Sequence, residues 1–271
     1  DEQDLDGLPQ AVRTAAAEAA AADSLAGKYL ITLHAPSRIP FLQYSARRDL
    51  REKVYKAYIN RGNNGNENDN NQIILDIMRL RIEKANMLGF DTPANFILDE
   101  TMAKTSATVD TFLDEIFAAA NDKAKAERAE LQKLIDRTDG GFTLEAWDWD
   151  YYTEKLRQEK YALDESEIKP YFQMENVRAG VFALAHKLYG LEFEKLDSVP
   201  VYHPDVEAFK ITDADGSLIG LFYTDYYPRA SKRGGAWMND FRSQSNIDGQ
   251  MIRPIVVNVG NFTKPTADTP S

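Results

Sequence analysis

The 271-residue sequence has no cysteine, which excludes disulfides, thiolate metal sites and a cysteine nucleophile. Its histidines, His34, His186 and His203, do not stand in His-x-x-x-His spacing, so no helical zinc pair is present. There is no glycine-rich phosphate loop and no Gly-x-Ser-x-Gly elbow. No apolar run approaches the ~20 residues of a membrane-spanning helix, and no membrane partner is expected. Basic residues are outnumbered, 32 Lys and Arg against 43 Asp and Glu, for a net charge of −11. That balance argues against nucleic acid, whose phosphates need a basic face, and suits solubility. Asp1 to Gly7 is acidic and lacks an apolar signal core, so the chain either stays inside the cell or has been cut upstream. No internal repeat is visible.

What is present reads mainly as helix. Pro9 opens a helix that runs through alanine to about Ala22, and Tyr29 to Leu33 reads as a short strand. Ser37 to Tyr44 is a turn or short helix, and Ala46 to Asn60 a charged amphipathic helix. Arg61 to Asn71, rich in Asn and Gly, is a surface loop. Helices follow at Gln72 to Leu88 and Pro93 to Leu98. The longest is predicted at Ala107 to Arg137, with Ser106 as N-cap and Val109, Phe112, Leu113, Ile116 and Phe117 as its apolar stripe. Further helices start at Trp147, Ser166 and Glu175, the last apolar enough to be buried. After Gly190 the period drops to two. Strands are expected at Val206 to Thr212, Leu218 to Tyr226 and Ile255 to Gly260, the first pair joined at Asp215-Gly216. The fold class is mainly α with a small antiparallel or mixed β-sheet near the C-terminus (α+β). Residues 1–200 form the helical region and 201–271 the sheet region.

Few residues invite chemistry. His186 reads as structural and His203 as a loop residue satisfying backbone. Asp213-x-Asp215-Gly216 opens like a calcium loop but lacks the later ligands, so it reads as a hairpin turn. The notable stretch is 221–262. Tyr223, Asp225 and Tyr227 share a strand face, Arg229, Lys232 and Arg233 form a basic turn, and Gly234-Gly235-Ala236-Trp237 follows. Small residues suit an edge strand that binds an extended peptide by β-addition, and the basic residues could pair with a peptide carboxylate or with Asp225. The same residues also suit a structural hairpin whose charges pair on the surface. A hydrolase built on the carboxylates of Asp225 and Glu207 is a further alternative.

Four segments, DGLPQAVRTAAAE, KYLITLHAPSRIPFLQYSARRDLREKVYKAY, WDWDYYTEKLRQEKYALDESEIKPYF and HPDVEAFKI…GLFYTDYYPRASKRGGAWM…VVNVGNFTKP, resemble one family in the same order. It is the thimet oligopeptidase, oligopeptidase A and dipeptidyl carboxypeptidase family of zinc metallopeptidases, and Lys232 to Met238 is most similar to its bacterial dipeptidyl carboxypeptidase branch. The resemblance implies a two-lobed helical enzyme that cleaves short peptides, with zinc held by a His-Glu-x-x-His helix and a downstream Glu. It places that helix beyond Pro270, so this chain is expected to be a central fragment truncated at both ends. On that view the chain has no catalytic or metal-binding residue of its own, and zinc belongs to the parent protein. Gly235, Ala236, Trp237, Arg233 and Tyr223 are then the substrate-binding candidates. The parent would be a cytoplasmic or periplasmic peptidyl-dipeptidase, and the fragment would be inactive and prone to self-association. The alternative is a non-catalytic peptide-binding module.

Overall fold

A computed structural model describes residues 2–162 and 165–265. The chain divides into two compact units, one comprising the residues up to Arg47 with those from Tyr161 onward, the other Arg48–Lys160.

The first unit begins with α1 (Gln10–Ala22) and α2 (Ala35–Tyr44), which bury Ala16, Ala20, Phe41 and Leu42. Pro36 takes the first turn of α2, where its missing N–H costs nothing. The expected strand at Tyr29 to Leu33 does not form. A strand needs a ladder, and here the Leu30 N–H donates to the Ala16 carbonyl of α1 and the Thr32 N–H to the Ser37 hydroxyl, both at 2.9 Å, with no partner strand among the described residues.

The second unit holds α3 (Arg48–Ile59), α4 (Asn71–Met87), α5 (Pro93–Leu98), α6 (Ser106–Thr138) and most of α7 (Trp149–Tyr161). The Asn-rich loop before α4 is tied down by its own side chains. Asp69 accepts from the Gly65 and Asn71 N–H groups, and Asn71 donates to Asn63. The N-cap of α6 is Thr105, whose hydroxyl accepts from the Thr108 N–H, and Ser106 is already the first helical residue. The apolar stripe of α6 is not its buried part. Its second half supplies Leu131, Leu134 and Ile135 to a core completed by Leu144 and Tyr152, while Phe112, Leu113, Ile116 and Phe117 stay exposed. Periodicity identifies the face that seeks cover, but it does not supply the element that covers it.

One ion cluster locks this core. Asp148 is wholly buried and Arg51 is 1% exposed. Arg48 donates to both Asp148 oxygens and Arg51 to Oδ1 at 2.9 Å, while the guanidinium groups lie over the Phe142 and Tyr151 rings.

The first unit resumes with α8 (Glu165–Ile168) and α9 (Met174–Tyr189), then five strands: β1 (Glu192–Lys195), β2 (Glu207–Thr212), β3 (Leu218–Asp225), β4 (Trp237–Arg242) and β5 (Ile255–Val259). Their order is β1-β2-β3-β5-β4, antiparallel except for the parallel β3–β5 pair. The turn after β2 is the expected hairpin, with the Gly216 N–H donating to Asp213 and the Ser217 N–H to the Asp215 carboxylate. The short β1 escaped the sequence reading. The fold is thus mainly α with one small mixed sheet. Helix α9, apolar enough to be buried, leaves Val177, Val181, Leu184 and Leu188 exposed and engages the sheet through Phe182, stacked on Phe193, and Arg178, paired with Glu207.

The chain exposes 18468 Å². A compact monomer of this length exposes about 12,000 Å², and two separate compact domains of the two units' sizes about 14,000 Å². Exposed apolar side chains of α4, the first half of α6 and α9 contribute to the excess. No helix of the described residues is long and apolar enough to cross a membrane.

Replacing Asp148 by Asn leaves two arginines without their counter-charge. The expected loss is about 3–5 kcal/mol, read as a lowered denaturant midpoint for the Arg48–Lys160 unit at an unchanged slope.

Candidate functional site

The two faces of the sheet differ. In the pairing register, Glu207, Phe209, Phe222, Thr224 and Val256 share one face, where Phe182 of α9 meets Phe193 and Phe209. Ala208, Tyr223, Asp225, Val257, Val259 and Trp237 share the other, several of them in a buried cluster with Val206. Asp225 and Glu207 therefore point to opposite sides, because Glu207 is the partner of Thr224. Glu207 is held by Arg178 and Lys195, and the two carboxylates make no catalytic pair.

Strand β4 is the outer edge, and all six of its residues are exposed. Its second half carries the features that blunt an edge, with Asp240, a register shift between Asp240 and Arg242, and Arg242 itself. Its start has none of these. Gly235 takes φ +95°, which L side chains rarely adopt, and nothing lies within 4 Å of where a Cβ would stand. Glycine is required here by the backbone and not by crowding, and the space beside it is open.

The loop between β3 and β4 is held by Asp225. Arg229 grips both carboxylate oxygens at 2.8 and 2.9 Å, Lys232 Nζ donates to Oδ1 at 3.0 Å, and the Tyr202 hydroxyl donates at 2.9 Å. Lys232 also donates to the carbonyls of Asp225 and Tyr227, and its side chain is only 3% exposed. Burial pushes the Asp225 carboxyl up, but the bonds from Arg229, Lys232 and Tyr202 outweigh it and hold the pKa at about 2. Burial, with the Asp225 charge, pushes Tyr202 up to about 12. The basic turn is thereby divided. Arg229 and Lys232 are committed to Asp225, whereas Arg233 is exposed and its guanidinium has no partner among the described residues.

The other candidates fall elsewhere. Tyr223 is buried two strands in from the edge, its hydroxyl donating to the Pro200 carbonyl. His203 Nδ1 accepts from the Asp205 N–H, His186 lies 3.0 Å from Glu192, and His34 stands beside Thr32. Among the described residues no three His, Cys, Asp or Glu side chains converge to hold a metal ion, so a zinc ion has no fit within them. Two contributors escaped the sequence reading. Tyr202 lies more than twenty residues before Asp225, and Asn261 donates through Nδ2 to the carbonyls of Arg233 at 3.1 Å and Gly235 at 2.7 Å. Both act across the fold, and no local pattern signals them.

Comparison with known proteins adds a lineage. The sequence model of peptidase family M3 matches residues 41–271. Dipeptidyl carboxypeptidase of Escherichia coli (strain K12) is 39% identical over 268 residues, covering 98% of this chain and 39% of that protein. Oligopeptidase A of Escherichia coli (strain K12) is 35% identical, over 100% of this chain and 40% of its own length. The chloroplastic and mitochondrial organellar oligopeptidase A of Arabidopsis thaliana is 36% identical, over 100% and 36%. The chain spans about two fifths of the length of these curated relatives.

Because the Asp225 pKa is lowered on folding, its stabilisation is complete above the unfolded-chain value near 3.9 and is lost as pH falls through about 2. Asp225→Asn is therefore expected to lower stability by about 3 kcal/mol near neutral pH. The deficit should shrink between about pH 4 and 2, which thermal melts of both proteins across that range would show.

Proposed function

The chain belongs to peptidase family M3, and from that membership we propose that it is part of a zinc-dependent enzyme releasing C-terminal dipeptides from short peptides. Its own contribution is the edge of the sheet. An extended peptide lies along the start of β4, bonding to the outward-facing backbone groups of the Gly235-Ala236-Trp237 segment while Arg233 faces its charged groups and Tyr223 backs the sheet from inside. The observation that carries this reading is the unblunted, exposed start of β4 behind an open Gly234-Gly235.

Such an edge suits an enzyme acting on varied peptides, because the main chain is common to all of them and side-chain choice is left to pockets. Zinc, where bound, polarises the scissile carbonyl and activates water. The sequence of this chain contains no His-Glu-x-x-His run, and we place that chemistry on residues outside these 271. The cytoplasm, or alternatively the periplasm, is where such a peptidase would meet free peptides.

With zinc and an N-blocked tetrapeptide, the complete gene product is expected to release the C-terminal dipeptide in a chelator-sensitive reaction, and the 271-residue chain alone to release none. A complete product that binds the peptide without ever cleaving it would favour a non-catalytic binding module. The exposed apolar faces of α4, α6 and α9 are expected to drive the isolated chain into self-association. Light scattering reads this directly, and a monodisperse monomer with a sharp melt contradicts it.

A further inference from the structure

The antiparallel register of β4 and β5 pairs Trp237 with Val259 and Met238 with Asn258. Continued by two residues, the same register sets Gly235 opposite Asn261. Among the described residues the β4–β5 ladder ends at Trp237 and Val259, while the main chain after β5 stays bonded to the β3 side. The Gly260 N–H donates to the Asp225 carbonyl and the Phe262 N–H to the Tyr226 carbonyl, both at 2.8 Å. Glycine at 260 leaves room for the Phe262 ring, which would lie 2.7 Å from a Cβ there. The start of β4 therefore loses its backbone neighbour at the point where the peptide is proposed to bind.

We propose that Asn261 is the positioning residue that replaces this missing neighbour. Its Nδ2 carries two N–H donors, and both are used, on the carbonyls of Arg233 and Gly235. The orientation of the amide is set by its partners, as two carbonyls can only accept. The side chain thus occupies the inner side of the Arg233–Gly235 segment, as a paired strand would, and leaves the outer side free for a peptide. It also immobilises Gly234-Gly235, the two residues with most freedom to lose, before the peptide arrives. This inference rests on the reading of β4 as a peptide-binding edge and adds to it the residue that presents that edge. Asn261 acts through the Gly235 backbone and does not touch the peptide.

The test uses the complete gene product and an internally quenched peptide carrying a C-terminal dipeptide leaving group. Asn261→Asp keeps the shape, removes both donors and sets a carboxylate against two carbonyls. It is expected to raise KM about ten-fold with kcat within about two-fold, the pattern of lost binding common to ground and transition states. Asn261→Gln, which keeps the donors on a longer arm, is expected to recover part of the loss. Gly235→Ala strains the same backbone from the other side, and the two changes combined should be less than additive in KM. Wild-type KM in a folded Asn261→Asp protein, or additive effects in the pair, overturns the role of Asn261 while leaving the peptidase reading intact. A wild-type protein that neither binds nor cleaves the peptide overturns the reading of β4 and this inference with it.

Discussion

The loop that presents the candidate site depends on one buried carboxylate. Asp225 ends β3 with its charge almost removed from water, a position that alone would favour protonation. Two cations and a phenol reverse that balance, and they come from two places, Arg229 and Lys232 in the following loop and Tyr202 before β2. Its main-chain carbonyl does further work, accepting from Lys232 and from Gly260 beyond β5. A single residue thus ties the exit of β3, the basic turn and the segment after β5. Removing either cation would leave the other beside a less compensated buried charge, so the cluster behaves as a unit.

That arrangement bears directly on the structural reading of the basic turn. Pairing on Asp225 accounts for Arg229 and Lys232, which argues for structure. The same pairing delivers Gly234, Gly235 and Arg233 to the sheet's edge in a defined place, which a substrate-binding role requires. The structural pairing thus accounts for part of the turn, and the proposed substrate contacts concern its other residues. An unprotected strand edge is a hazard for aggregation, and here the far half of β4 is blunted by Asp240, the register shift and Arg242 while the near half is not. The distribution of these devices is the structural basis for proposing the near half as the peptide-binding edge.

Local chemistry was sufficient for several elements. Thr92 and Pro93 start α5, Asp213 to Ser217 make the hairpin turn, and the alternation in β2 and β3 is plain in the residues. The strand expected at Tyr29 to Leu33 failed because strand propensity is realised only against a partner. The stripe on α6 and the apolar face of α9 were correctly seen as apolar, and in this chain both are exposed. Cover is a property of neighbours, and no residue's own pattern encodes it.

By itself, then, the sequence determined the helical class, the turn at Asp215-Gly216, the absence of thiol chemistry and the segment around Trp237 as the place to look. Only the tertiary structure decided that β4 lies at the sheet's edge, that β5 is inserted between β3 and β4, and that Asp225 and Glu207 face apart. It alone brought Tyr202 to Asp225 and Asn261 to Gly235. The physical reason is range. Periodicity, caps and turn residues act over a few positions of chain, whereas strand order and the partners of a buried charge are settled between residues tens of positions apart.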